Sequence, residues 1–127
     1  MLCDYAYSGP PADNEKESYH KLLCAALAHL KKHPEFIDEV INKVTQRARA
    51  FVEKMPWDHK TRQRQIEGAA GNFMEHLLNR FSYNKDTLGT VMSLLLSRCK
   101  TRRMIELAKY ALKRVRYFIN WHNTWAQ

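Results

Sequence analysis

Glycine and proline are scarce in this chain, at four each in 127 residues. So few breakers, beside abundant Leu, Ala, Lys, Arg and Glu, argue against a turn-dense β architecture and for helices. Cysteine is scarce too. Cys3, Cys24 and Cys99 form an odd set with no C-x-x-C pair. That speaks against the disulfide framework of a small secreted domain. A reducing, cytoplasmic setting is expected, with free thiols, no metal and no other cofactor. Long apolar runs are missing, so no membrane span is expected. The stretch from Met1 to Asn14 has neither a basic start nor an apolar run and does not read as a signal peptide. Acid is nearly missing from one segment: Arg98, Lys100, Arg102, Arg103, Lys109, Lys113, Arg114 and Arg116 are opposed there only by Glu106.

What is present points to a packed helical domain. Hydrophobic residues make up 45% of the chain, enough for a core and too many for a disordered tail. Residues 1–13, punctuated by Ser8, Gly9, Pro10 and Pro11, read as an N-terminal arm whose Tyr5 and Tyr7 can dock on the body. Residues 14–127 read as one helical bundle domain. A helical period begins near Asn14 and runs through Tyr19, Leu22, Leu23, Ala26, Leu27 and Leu30. His33-Pro34 ends it, and Pro34 then suits the first turn of a second helix. That helix has the cleanest stripe: Ile37, Val40, Ile41, Val44, Ala48, Phe51, Val52 and Met55.

Asp58 is the expected N-cap of a third helix, with Ile66, Ala69, Ala70, Phe73, Leu77 and Phe81 on one face. Asn84 or Asp86 suits the cap of a fourth, lined by Leu88, Val91, Met92, Leu95, Leu96 and Cys99. Lys100-Thr101 marks either a tight turn or a kink, and a fifth helix runs from about Thr101 to Asn123. No window alternates with period two, so no strand is expected. The fold class is all-α, a bundle of about five antiparallel helices. The core is expected at Leu23, Leu27, Val40, Val44, Phe51, Phe73, Leu77, Val91, Leu95, Ala108, Ala111 and Val115.

Charge separates along the chain. Residues 1–42 are acidic on balance. A first basic block follows, with Lys43, Arg47, Arg49, Lys54, Lys60, Arg62 and Arg64 against Glu53 and Asp58. The second is the Arg98–Arg116 segment, where eight bases against one acid give +7, compared with +8 for the whole chain. At 100° per residue, Met104, Leu107, Ala108, Ala111, Val115, Phe118 and Ile119 fill one arc of the fifth helix. Arg102, Lys109, Lys113, Arg116 and Asn120 align on the opposite side, flanked by Arg103, Tyr110, Arg114, Tyr117 and Trp121.

Such a face suits a polyanion. Lysine neutralises phosphate as a point charge, arginine grips it bidentately, and an adjacent ring can stack on an unpaired base. Arg47, Lys60, Arg62 and Arg64 join the candidate site from the first block, where a capped helix start adds an anion-favouring terminus behind Trp57. The bland alternative is a solvated helix face, with Trp57 packed on the core.

Three further patterns bear on chemistry. His29 and His33 have a zinc-compatible spacing, but the glutamate of the metalloprotease pattern does not follow the first histidine. Gly68-Ala69-Ala70-Gly71, inside the third helix, suggests a close helix crossing that offsets about 2 kcal/mol of lost propensity. Arg116 and His122 are spaced as in the Arg-x(4–6)-His pair of HEPN ribonucleases, which that pair resembles. The resemblance implies metal-independent RNA cleavage in a dimer cleft, yet His122 falls toward the apolar arc and Arg116 on the opposite side. No Ser-His-Asp or paired-carboxylate set stands out.

The expected function is therefore non-enzymatic binding of nucleic-acid backbone, RNA or single-stranded DNA, without strong sequence preference. The expected partners are that nucleic acid and other protein subunits, with no membrane and no small-molecule substrate. In size, helicity and charge the chain resembles the small helical subunits lining the nucleic-acid path of CRISPR effector complexes, which implies a place as one of several copies in a ribonucleoprotein. The alternatives are an adaptor or inhibitor docking its basic face on an acidic protein, and the ribonuclease.

Overall fold

The computed structural model describes residues 16–82 and 84–125, with side chains for 17–82 and 84–116. The expected arm 1–13 and Cys3 lie outside the described residues, as do the side chains of Tyr117, Trp121 and His122. Among the described residues the helices are α1 (Lys16–Lys32), α2 (Glu35–Glu53), α3 (His59–Arg80), α4 (Lys85–Arg98) and α5 (Arg102–Trp125), with no strand. The fold is all-α, as the sequence indicates.

Local chemistry sets each boundary. Pro34 sits one position earlier than expected, as the helical N-cap of α2 (φ −65°, ψ −20°). The Phe36 and Ile37 amides donate back to the carbonyls of His33 and Pro34, so α1 passes into α2 through a very short link. Asp58 caps α3 as expected, its Oδ1 accepting from the Thr61 amide at 2.7 Å. Asn84 rather than Asp86 caps α4, accepting from the Asp86 amide at 2.7 Å. Between α4 and α5 the chain turns: Cys99 is extended (φ −75°, ψ 118°), and the Thr101 hydroxyl accepts from the Met104 amide at 3.2 Å.

The core gathers Leu23 and Leu30 of α1, Ile37 of α2, Met74, Leu77, Leu78 and the following Phe81 from α3, Leu88, Val91, Met92 and Leu95 of α4, and Ala108, Ala111 and Val115 of α5. Most expected core residues are there or, like Leu27 and Phe73, pack against it partly buried. Val40, Val44 and Phe51 are the exceptions, and Phe51 is 53% exposed. Val40 and Val44 are only half-buried. The reason is architectural. No side chain between Ile41 and Phe73 joins this cluster. α2 and α3 pack extensively on each other as a helical hairpin, with Val52 and Ala70 buried outside the main cluster.

α3 is the central element, packed most extensively on α2 and α5. Three pairings fix the α3–α5 seam: Glu67 with Arg103, Gly71 with Leu107, and Glu75 with Arg114. Residue numbers rise together along both helices, so α3 and α5 run parallel, as next-but-one members of an antiparallel succession do. The expected small-residue crossing is weaker than its sequence suggests. A Cβ at Gly71 would meet Leu107 Cδ2 at an ordinary 3.6 Å, and one at Gly68 would meet nothing within 4 Å.

Candidate functional site

The basic residues fall into two groups, and helix packing decides which is which. Those on the flank of α5 that faces α3 meet acid. Arg103 Nε donates to Glu67 Oε2 at 2.9 Å and also faces Glu106, 3.6 Å from its NH1. Arg114 Nε lies 3.3 Å from Glu75 Oε2. Donating to the Glu67 carboxylate raises the Arg103 pKa further. For Arg114 the Tyr110 hydroxyl contributes most and Glu75 next. Arg98, the first residue of the basic run, is bound by Asp38 of α2, to which its Nε donates at 2.9 Å. Arg102 approaches Glu106 at 3.8 Å, one helical turn along.

Lys109, Lys113 and Arg116 behave differently. All three are exposed, and none has an ion-pair partner among the described residues. They recur at intervals of four and three, so they form one row along the outward side of α5. Beside the row, Tyr110 is 59% exposed, with the Arg114 guanidinium 5.9 Å from its ring centroid. Tyr117 and Trp121, expected on the same flank, have side chains outside the described residues.

The first basic block occupies the hairpin. Arg47, Lys60 and Arg64 are exposed there, with Lys43 and Lys54, and none is ion-paired among the described residues. Arg62 is partly buried and donates to the Met55 carbonyl at 2.9 Å, so it ties the start of α3 to the end of α2. The Asp58 carboxyl is held below the ordinary aspartate value, chiefly by its hydrogen bonds from Thr61 and also by nearby Arg64. Trp57 is half-buried, but its neighbour is the exposed Phe51 ring, edge-on at 6.1 Å between centroids.

Lys60 and Arg64 stand apart from Lys113 and Arg116 along the α3 axis. Arg103 stands level with Glu67, so Lys60 and Arg64 precede the start of the seam, whereas Lys113 and Arg116 lie at or beyond the level of Glu75. From residue 64 to residue 75, α3 rises roughly 16 Å, several nucleotide spacings. Lys60 and Arg64 can therefore share one extended ligand with Lys113 and Arg116, not one compact anion.

Other sequence candidates resolve simply. The His29 and His33 rings lie 5.0 Å apart at a tilt of 48°, and His33 Nδ1 lies 3.1 Å from Glu35 Oε1. Among the described residues, no group of three or more His, Cys, Asp or Glu is placed to hold a metal ion. Cys24 and Cys99 are free. Cys24 is exposed rather than seated against the apolar face, with its sulfur 3.5 Å from His20 Nε2. Cys99 is partly covered, and burial pushes its thiol pKa up. Among the described residues, no helix is long and apolar enough to cross a membrane.

Sequence reasoning missed Glu67, Glu75 and Asp38 as partners of the basic run. A signal was available for two of them. Glu67 and Glu75 are eight apart on α3, and Arg103 and Arg114 are eleven apart on α5, both spacings that return a helix to one face. Comparison with family models, with curated proteins and with solved structures finds no match to this chain.

Proposed function

We propose that this protein binds the sugar-phosphate backbone of RNA or single-stranded DNA, without strong sequence preference and without catalysis. Lys109, Lys113 and Arg116 are the principal contacts, and Arg47, Lys60 and Arg64 extend the track. One observation carries the reading: the row on α5 holds exposed cations with no partner among the described residues, while the arginines facing α3 are neutralised. Like charges in a row repel one another, and an incoming polyanion relieves that repulsion while releasing its own counterions. Such contacts give affinity and register rather than sequence readout. In this reading the protein works in the cytoplasm, beside other subunits on the same strand.

Labelled oligonucleotides of unrelated sequence, titrated at low salt and then competed with unlabelled nucleic acid, test the proposal. Binding of similar strength across sequences, lost to any nucleic-acid competitor and to added salt, is the expected result. Absence of binding to all of them overturns it. Capture of an acidic protein that resists nucleic-acid competitor would favour an adaptor instead.

A further inference from the structure

The tip of the α2–α3 hairpin sets an exposed Phe51 and a half-buried Trp57 among cations that have no ion pair among the described residues. Phe51 is 53% exposed, and Trp57 meets it edge-on from the turn between the helices. Exposure of one large apolar side chain is ordinary. Its company here is not. Lys43, Arg47, Phe51 and Lys54 recur at intervals of four, four and three, which places them along one ridge of α2 with the ring among the charges. Lys60 and Arg64, four apart on α3, continue the cations beyond Trp57. Each of these five is exposed, with no ion pair among the described residues.

The local acids do not cancel this. Glu53 is two residues from Phe51 and therefore projects to the other side of α2. Asp58, the cap of α3, keeps its charge beside Arg64 and offsets part of that one cation, which leaves Lys43, Arg47, Lys54 and Lys60. An acidic protein would satisfy the charges but has no need of flat rings. A duplex would satisfy the charges and cannot offer a base face, because its bases are stacked internally. A single strand offers both, phosphates for the cations and an unpaired base for the rings.

We infer that the Phe51–Trp57 pair is a base-stacking platform, and that it makes the protein prefer single-stranded nucleic acid over duplex. The inference rests on the backbone-binding reading above and adds strand selectivity to it. On the α5 row, phosphates of either form are bound alike. At the hairpin tip, an unpaired base leaves the strand's stack and lies against the exposed Phe51 ring, while Arg47 and Lys54 hold the flanking phosphates.

The test uses the full chain with Trp121→Phe and Trp125→Phe, leaving Trp57 as the remaining tryptophan. Its emission is followed while oligo(dT), oligo(U) or a blunt-ended, two-strand duplex is titrated in, and the two single-stranded probes separate DNA from RNA. Saturation with a single strand is expected to quench Trp57 emission, and saturation with duplex to leave it unchanged. Phe51→Ala is expected to weaken single-strand binding about 5- to 150-fold and to leave duplex binding alone. Phe51→Trp, measured by labelled oligonucleotide, should retain single-strand affinity, which excludes a folding defect at this position. Unchanged Trp57 emission at saturation, or equal losses for both nucleic acids in Phe51→Ala, overturns the platform. Duplex and single strand that both bind, with Phe51→Ala affecting neither, also overturn it while leaving the backbone reading standing. If no nucleic acid binds at all, both fail.

Discussion

The core end of the molecule and the tip of its α2–α3 hairpin treat the same residue types in opposite ways. At the core end, Phe81 is fully buried and Arg98 and Arg114 are held by Asp38 and Glu75. At the tip, Phe51 is 53% exposed, and Arg47 and Arg64 are exposed without an acidic partner among the described residues. An aromatic or an arginine is therefore structural or available according to where the helix ends relative to the core. α5 repeats the contrast across its own width, with paired arginines toward α3 and, toward solvent, a row without ion pairs among the described residues.

The aromatic half of the contrast carries the largest expected effect. Phe81→Ala should cost about 3–5 kcal/mol of unfolding free energy, since it empties a packed site. Phe51→Ala should cost less than about 1 kcal/mol, because the ring is already largely in water. Chemical denaturation of both variants checks this, and similar losses would erase the distinction between core and tip.

A smaller effect sharpens the account of the tip. Asp58→Ala should lower the melting temperature, because the Thr61 amide loses its acceptor. The sign of the pH dependence follows from the depressed Asp58 pKa. Its stabilisation is present above the unfolded aspartate pKa and is lost as pH falls through the lower folded value. The gap between wild type and Asp58→Ala should therefore close in acid below about pH 4. A gap that persists at the acid end would mean the carboxylate is not the cap.

The smallest expected effect is a gain. Gly68 is exposed inside α3 with open space around its missing side chain. Gly68→Ala should stabilise the protein by about 0.5–1 kcal/mol through reduced backbone entropy loss. A destabilised variant would show that this surface is covered in the native protein. Nothing in the structure explains the choice of glycine there.

Much of this was legible in the sequence where the cause was local. The Asp58 cap, the break at Lys100-Thr101 and the apolar stripes of α4 and α5 each depend on neighbours a few residues away. Leu77, Val91, Leu95, Ala108, Ala111 and Val115 are accordingly buried as expected. Met74 and Leu78 were missed because α3 packs against several helices at once, which widens its apolar arc beyond the stripe of Phe73, Leu77 and Phe81. Phe51 was misread for the converse reason: periodicity shows which face is apolar, not how far along the helix the core extends. The pairings of Asp38 with Arg98, Glu67 with Arg103 and Glu75 with Arg114 join residues 60, 36 and 39 positions apart. No local pattern dictates them, and they change which part of the basic segment is free.

The central claim is that the outward row of α5 binds polyanion while its paired arginines hold the fold. The direct test measures nucleic-acid affinity against salt, with melting temperature, in two variants of that helix. Lys109→Gln/Lys113→Gln/Arg116→Gln should flatten the slope of log K against log salt by about 2–3 and leave the melting temperature near wild type. Arg103→Gln/Arg114→Gln should lower the melting temperature and leave the slope nearly intact. A folded triple variant whose affinity and salt slope match wild type would contradict the claim, and would make the row an ordinary solvated face.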